Sequence, residues 1–199
     1  MKWTLINVKK ETDHPFLNFY TLTYDVEKEG KHSLYEYYMS IRRDLGKLLC
    51  QTHNYKRSDG VVLCLYQKRE DDIYIVIEKQ FRPPIGTYLY AFPAGLIDAG
   101  ENIEDAARRE AKEEIGANIS NIELLVPPAP TSSGLSDENS CLLIAHADSF
   151  ENTKLEEYED ISYQILPLKQ IEEMMKDERY FFPVNIRLML LYLKERFHK

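Results

Sequence analysis

Three glutamates lie close together near the middle of this 199-residue chain, at Glu110, Glu113 and Glu114. If this stretch is helical, residues three and four positions apart share a face, so the carboxylates would project from neighbouring turns. Clustered carboxylates repel one another unless a cation neutralises them, and oxygen ligands of this kind suit Mg²⁺ or Mn²⁺. A divalent-metal site is therefore one interpretation of this spacing.

Basic residues on the same stretch give a second interpretation that needs no metal. A helix whose acidic and basic side chains are interspersed is usually a solvated face held by ion pairs. In that case the glutamates would be neutralised by neighbouring side chains rather than by an ion. The basic residues are Arg108, Arg109 and Lys112.

The surrounding sequence predicts the helix that positions the glutamates. Asn102 is a good N-cap, and Asp105 lies three residues later, where a second polar side chain completes a box-like cap. Gly116 would end the helix. Before the helix, Gly95 and Gly100 lack a Cβ and permit a tight loop that approaches other groups closely. We therefore expect a close-packed loop followed by a helix that carries the acidic side chains.

The complete spacing from Gly95 to Ala117, GLIDAGENIEDAARREAKEEIGA, matches the fixed positions of the Nudix box. The neighbouring segment from Lys79 to Asp98, KQFRPPIGTYLYAFPAGLID, resembles ADP-ribose pyrophosphatases of the same superfamily, and a weaker likeness continues to the C-terminus. By this resemblance the chain is identified as a member of the Nudix hydrolase superfamily.

The resemblance implies a role for each charged residue of the box. Glu110 and Glu114 would bind the catalytic divalent cations, Mg²⁺ or Mn²⁺, and Glu113 would assist an additional ion. The backbone carbonyl of Ala94 would contribute a further ligand. Arg109 would hold the glutamates in register through charge-assisted hydrogen bonds.

Glu101 and Asp98 precede the helix and have different expected roles. Glu101 either joins the Arg109 network or stabilises the loop near the helix N-terminus, where a carboxylate meets favourable backbone dipoles. Asp98 is expected to be a turn residue rather than a ligand. The two interpretations of Glu101 carry equal weight from the sequence.

The resemblance also implies a general base on a loop before a late strand. ADP-ribose pyrophosphatases place a glutamate there, and the stretch LEEYEDI resembles that loop. The alignment is best at Glu157, with Glu156 and Glu159 as alternatives. A hydrated acidic loop without a catalytic role would have the same composition.

Substrate contacts are expected at three residues outside the box. Arg82 would bind a phosphate or ribose, because a guanidinium can contact two oxygens at once. Tyr35 and Tyr37 lie where the family offers aromatic side chains for stacking on the nucleobase. Ala91 departs from the family pattern, which often has Glu before the apolar-Pro-Ala-Gly sequence, and so removes a carboxylate near the substrate.

The order of predicted elements indicates an α/β protein. Residues 1–57 contain strand-like alternations that predict an N-terminal antiparallel β unit, and residues 58–199 would form the hydrolase domain. The resemblance makes the latter a Nudix α/β/α sandwich with a mixed sheet, and it implies a homodimer formed through the N-terminal strands. The Pro- and Ser-rich residues 127–140 are expected to form a loop, since their composition prevents regular pairing.

Composition and charge argue against several classes of partner. The formal net charge of −8 is opposite to that of a nucleic-acid groove, which normally carries a basic stripe. No stretch approaches the roughly 18 apolar residues that span a bilayer, and the first residues lack an apolar signal core. Three widely separated cysteines, Cys50, Cys64 and Cys141, favour reduced thiols and the cytoplasm.

The predicted activity is Mg²⁺-dependent hydrolysis of ADP-ribose or a related nucleoside diphosphate sugar. The products would be a nucleoside monophosphate and a sugar phosphate. GDP-mannose and UDP-glucose are alternative substrates. A different class of function is a non-catalytic Nudix-fold module that binds such nucleotides as a sensor.

Overall fold

The computed structural model describes residues 1–70 and 72–197, and these residues divide into two units. The first unit contains Met1–Asp59 together with Pro128–Ser140, and the second contains the remaining described residues. The residues of the Nudix-like box all belong to the second unit.

The first unit is built on an antiparallel sheet of order β1-β2-β3, which confirms the predicted N-terminal β unit. Its elements are β1 (Lys2–Lys10), β2 (Asn18–Lys28), β3 (Lys31–Ile41) and the short helix α1 (Leu49–Thr52). Alternate strand residues supply the apolar side of the sheet, because successive side chains point to opposite faces. The buried members are Tyr20, Leu22, Met39 and Ile41, with Leu48 packed against them.

The second unit contains a mixed sheet whose main strand order is β10-β5-β4-β9-β8, while β6 pairs with β5 and β7 pairs with β4. Its strands are β4 (Gly60–Arg69), β5 (Asp72–Arg82), β6 (Thr87–Ala91), β7 (Ala94–Leu96), β8 (Ala117–Pro130), β9 (Asn139–Phe150) and β10 (Ile161–Pro167). The last three residues of β8 and the first two of β9 are assigned to the first unit. Its helices are α2 (Ile103–Glu114), α3 (Leu168–Met174) and α4 (Val184–Phe197).

Helices cover both faces of this sheet, which confirms the predicted α/β/α sandwich. The cluster on one face joins Leu63 and Val76 of the sheet to Ala107 of α2. The cluster on the opposite face joins neighbouring strand residues, such as Cys64, to α3 and α4. The apolar strands are buried on both faces. Because successive side chains point to opposite faces, alternate residues of one strand pack in two separate cores.

The same alternation along β5 determines which of its side chains face the predicted site. Ile75 and Ile77 belong to the core of α3 and α4, whereas Val76 belongs to the core of α2. Residues two apart in a strand share a face, so Glu78 follows Val76 on the side of the sheet that α2 covers. A fully buried carboxylate is thereby placed on the same face as the acidic helix.

Helix α2 begins and ends where the sequence predicts. The Asn102 side chain accepts a hydrogen bond of 2.9 Å from the Asp105 N–H, which caps the first turn. At the other end Gly116 has a φ of +70°, and its N–H donates to the Lys112 carbonyl at 3.0 Å. Among the helices of residues 1–70 and 72–197, none is long and apolar enough to cross a bilayer.

Candidate active site

The carboxylate of Glu110 on α2 lies against the backbone of Gly95 on β7. A Cβ built on Gly95 would lie 1.9 Å from Glu110 Oε1 and 2.3 Å from Oε2, so the loop can approach the helix only because this residue is glycine. Strand β7 is fixed in this position by pairing with β4, where Gly95 lies opposite Val61. The close approach predicted for Gly95 is therefore observed.

Arg109 joins three of the predicted site residues into one ion-pair network. Its guanidinium donates two hydrogen bonds to Glu101, at 2.9 and 2.8 Å, and one to Glu110 at 2.7 Å. A longer bond of 3.2 Å reaches Glu113, and another of 2.8 Å reaches the Leu96 carbonyl. A planar guanidinium with several donors can hold carboxylates from different turns in fixed orientations.

Glu101 fulfils both interpretations that its sequence position allowed. It accepts the bidentate contact from Arg109, which is the main cause of its lowered pKa. It also accepts a hydrogen bond of 3.0 Å from the Asp98 N–H, and its own N–H donates to the Asp98 carbonyl. Glu101 thus ties the loop to the helix, while the exposed Asp98 side chain lies at the turn.

Glu114 is the most enclosed carboxylate of α2, with 4% of its surface exposed. Its Oε2 accepts a hydrogen bond of 3.0 Å from the Ala94 N–H, which connects the helix to β7. Burial raises its pKa, and the negative charges of Glu78 and Glu110 raise it further. Burial also raises the pKa of Glu110. The surroundings of Glu110 and Glu114 therefore disfavour the charged form of both side chains.

Glu78 is a member of this cluster that the sequence analysis missed. Its side chain is fully buried, and neither carboxylate oxygen has a hydrogen-bond partner among the described residues. The available signal was a carboxylate inside the apolar run IYIVIEKQF, at a position that strand alternation assigns to the face of Val76. Periodicity alone does not reveal that α2 brings other glutamates to that face.

The chemistry of these donors fits a hard divalent cation. Carboxylate and carbonyl oxygens are the ligands that Mg²⁺ and Mn²⁺ prefer, and the unpartnered oxygens of Glu78 are acceptors without a donor. As they stand, no three His, Cys, Asp or Glu side chains of the described residues are placed to hold an ion. One oxygen of each of these α2 glutamates already accepts a hydrogen bond: Glu110 Oε1 and Glu113 Oε2 from Arg109, and Glu114 Oε2 from the Ala94 N–H.

Two glutamates of the loop before β10 differ in their exposure to solvent. Glu157 is exposed, whereas Glu159 is half-buried and its charge raises the pKa values of Glu78, Glu110 and Glu114. Glu159 also fixes the loop, since its Oε2 accepts a hydrogen bond of 2.9 Å from the Glu156 N–H. Of the three predicted candidates for the base, Glu159 is the one whose charge acts on the cluster.

Arg82 lies at the end of β5, on the same strand face as Glu78. It is half-buried, and its positive charge opposes the rise in the pKa of Glu78, which burial causes. A guanidinium in this position can also bind phosphate oxygens, as the sequence predicted.

The two predicted stacking residues belong to the first unit, whereas the box belongs to the second. Tyr35 and Tyr37 line a pocket of about 370 Å³ together with Trp3 and Tyr24. The rings of Trp3 and Tyr35 meet edge to face at 5.4 Å, and Tyr37 Oη donates to the Gly134 carbonyl at 2.7 Å. Trp3 was not among the predicted residues, although a single tryptophan is a strong candidate for stacking.

Known proteins resemble the chain in sequence and in fold. The family model described as NUDIX domain matches residues 56–184. An ADP-ribose pyrophosphatase of Saccharomyces cerevisiae is 35% identical over 136 residues, which cover 65% of this chain and 58% of the yeast protein. An ADP-sugar pyrophosphatase of Mus musculus is 44% identical over 66 residues, which cover 33% of this chain and 30% of the mouse protein.

A solved structure extends the likeness to the fold. The crystal structure of an ADP compounds hydrolase matches with a TM-score of 0.72 and 17% sequence identity, covering 98% of this chain and 94% of that chain. At this identity the match shows the fold alone. The chain spans only 58% and 30% of the lengths of the yeast and mouse relatives.

Proposed function

The chain belongs to the NUDIX domain family, and from this membership we propose that it hydrolyses the pyrophosphate linkage of ADP-ribose or a related nucleoside diphosphate sugar. The products are a nucleoside monophosphate and a sugar phosphate. The observation that carries the proposal is the acidic site on α2, where Arg109 holds Glu101, Glu110 and Glu113 beside the close-packed Gly95. The names of the yeast and mouse relatives support the choice of substrate class.

Glu110 and Glu114 hold the divalent cations in this proposal, Glu113 assists, and the Ala94 carbonyl adds a ligand. When bound there, Mg²⁺ or Mn²⁺ would supply positive charge to neutralise the phosphates and would lower the pKa of a water molecule. Arg109 keeps the carboxylates in register before the ion arrives, since its hydrogen bonds fix their positions on α2.

A glutamate of the loop before β10 accepts the proton of the attacking water. The sequence favours Glu157, while the electrostatic effect of Glu159 on Glu78, Glu110 and Glu114 supports Glu159. We adopt Glu159 as the base because a general base must lie near the reacting groups. Glu156 supplies the backbone N–H that holds the Glu159 carboxylate.

In this proposal the substrate is bound by the guanidinium of Arg82 and by a pocket of aromatic side chains. Arg82 contacts a phosphate or ribose oxygen, for which its fork of donors is suited. Tyr35 and Tyr37 stack on the nucleobase, and their pocket offers the apolar ring faces that such contacts require. In this proposal residues 58–199 form the hydrolase domain, and residues 1–57 contribute substrate contacts and a homodimer interface.

Product analysis across several substrates tests this function. The purified protein is incubated with ADP-ribose, GDP-mannose or UDP-glucose, in Mg²⁺ or in EDTA, and the products are separated by chromatography. We expect AMP and ribose 5-phosphate from ADP-ribose in Mg²⁺ alone. Faster cleavage of GDP-mannose or UDP-glucose would identify that nucleoside diphosphate sugar as the substrate in place of ADP-ribose. Binding of every substrate without cleavage would overturn the enzymatic proposal.

A further inference from the structure

Glu78 is a buried carboxylate whose loss of hydration is not compensated by hydrogen bonds from the described residues. None of its side chain is exposed, and both carboxylate oxygens lack a hydrogen-bond partner within the described part of the chain. Buried polar groups are almost always hydrogen-bonded, and buried charges are paired or coordinate metals.

The strand pairing places Glu78 in the acidic site. On β6 its direct cross-strand neighbour is Ala91, and on β10 it is Tyr163, which packs in the same core as α2. Directly opposed residues on antiparallel strands share a face. Tyr163 therefore places Glu78 on the face that α2 covers, whereas Ala91 is partly buried against the core of α3 and α4.

The charged groups that act on Glu78 are mostly negative. Arg82 is the positive group that lowers its pKa, whereas Glu159 and Glu110 raise it. Glu78 in turn raises the pKa of Glu114, with a larger effect than any other charge in the protein. Strand β5, helix α2 and the loop before β10 thus each contribute carboxylates to one region, where Arg82 opposes the charge of Glu78 and Arg109 opposes that of Glu110.

Gln80 reinforces this pattern two residues further along β5. Its Oε1 is buried and also lacks a hydrogen-bond partner within the described residues. Residues 78 and 80 share a strand face, so three acceptor oxygens without donors lie on one side of β5. A group of acceptors without donors has the chemistry of a cation-binding surface.

We propose that Glu78 is an additional cation-binding carboxylate, which holds a divalent ion jointly with Glu114. This inference rests on the metal site of the proposed function and extends it to a residue outside the box.

The test compares Mn²⁺ binding by the full chain and by the Glu78→Gln variant. Glutamine preserves the shape of the buried side chain but removes its charge. Calorimetry and Mn²⁺ electron paramagnetic resonance give the number of ions bound and their Kd. We expect Glu78→Gln to lose one ion or to bind it about tenfold or more weakly. Glu178→Gln, which removes the same charge from an exposed residue, is expected to match the unmodified protein.

Thermal melting provides a second measurement that does not depend on activity. In EDTA, Glu78→Gln is expected to melt no lower than the unmodified protein, because the variant removes a buried unpaired carboxylate. Addition of Mn²⁺ is expected to raise the melting temperature of the unmodified protein more than that of the variant. Equal Mn²⁺ affinity and an equal rise in melting temperature would overturn the inference.

The outcomes separate this inference from the proposed function. Hydrolysis of ADP-ribose together with unchanged Mn²⁺ binding by Glu78→Gln would overturn the role of Glu78 alone. Mn²⁺ binding that depends on Glu78, without hydrolysis of any nucleoside diphosphate sugar, would support the inference and overturn the proposed function. A complete lack of Mn²⁺ binding by the unmodified protein would overturn both.

Discussion

Gly95 and Glu110 lie so close together that a Cβ on residue 95 would meet the Glu110 carboxylate at 1.9 Å. Replacement by alanine must therefore displace the end of a flexible side chain rather than backbone. We expect Gly95→Ala to fold normally, with little change in melting temperature, and to lose about 100-fold in activity because the carboxylate is misplaced.

A matched control for this substitution is Gly134→Ala. The nearest atom to a Cβ on Gly134 is Tyr37 Oη at 4.0 Å, which is an ordinary contact. Activity assays and melting curves of both variants separate a local displacement from a general loss of structure. Full activity of Gly95→Ala would show that the position of Glu110 is unimportant for turnover.

Arg109 is expected to position the glutamates through the planar arrangement of its guanidinium N–H groups as well as through its charge. Lysine cannot reproduce the paired bonds to Glu101 while also reaching Glu110. We expect Arg109→Lys to weaken Mg²⁺ binding and lower kcat by about 10-fold to 100-fold. Arg108→Lys changes an exposed ion pair with Glu104 and is expected to have little effect on either quantity. Equal behaviour of the two variants would contradict the positioning role.

The base is tested by comparing two single substitutions in one loop. We expect Glu159→Gln to lose about 100-fold to 10,000-fold in kcat while retaining Mg²⁺ and substrate binding. Glu157→Gln is expected to change kcat less, because Glu157 is exposed and its charge is not among those that shift the cluster. The reverse order of effects would return the role to Glu157, and normal turnover in both variants would exclude the loop as the source of the base.

The stability of the metal-free protein is expected to fall as the pH rises. Burial raises the pKa values of Glu78 and Glu114, so the folded protein binds these protons more tightly than the unfolded chain. This contribution is complete below the ordinary glutamate pKa of about 4.3 and is lost as the pH rises through the raised values.

Urea unfolding in EDTA at pH 5 and pH 8 measures this dependence. The midpoint is expected to be lower at pH 8, and Glu114→Gln is expected to reduce the difference between the two values. The exposed variant Glu178→Gln should leave the difference unchanged. A midpoint that rises with pH in the unmodified protein would contradict the assigned direction of the shifts.

The sequence predicted the acidic helix well because its signals are local. Asn102 and Gly116 define its ends, and the spacing of Glu110 and Glu114 fixes their common face. The N-terminal β unit and the α/β/α layers also follow from alternation within single elements. These features required no knowledge of which distant residues meet.

Contacts between distant segments were the part that the sequence did not predict. Glu78 joins the cluster because β5 pairs with β6 and β10 beneath α2, and this arrangement is a property of the whole sheet. The loop expected at residues 127–140 was wrong at both ends, since β8 continues to Pro130 and β9 begins at Asn139. Strand β8 ends the sheet order, and an edge strand tolerates prolines because their missing N–H groups need no partner.

The central claim is that the carboxylates of α2 make a nucleoside diphosphate sugar susceptible to hydrolysis. The most direct measurement is the rate of AMP release from ADP-ribose in Mg²⁺ for the unmodified protein and for Glu110→Gln/Glu114→Gln. We expect turnover in the unmodified protein, and its loss both in the double variant and in EDTA. A double variant that folds normally and releases AMP at the unmodified rate would contradict the account.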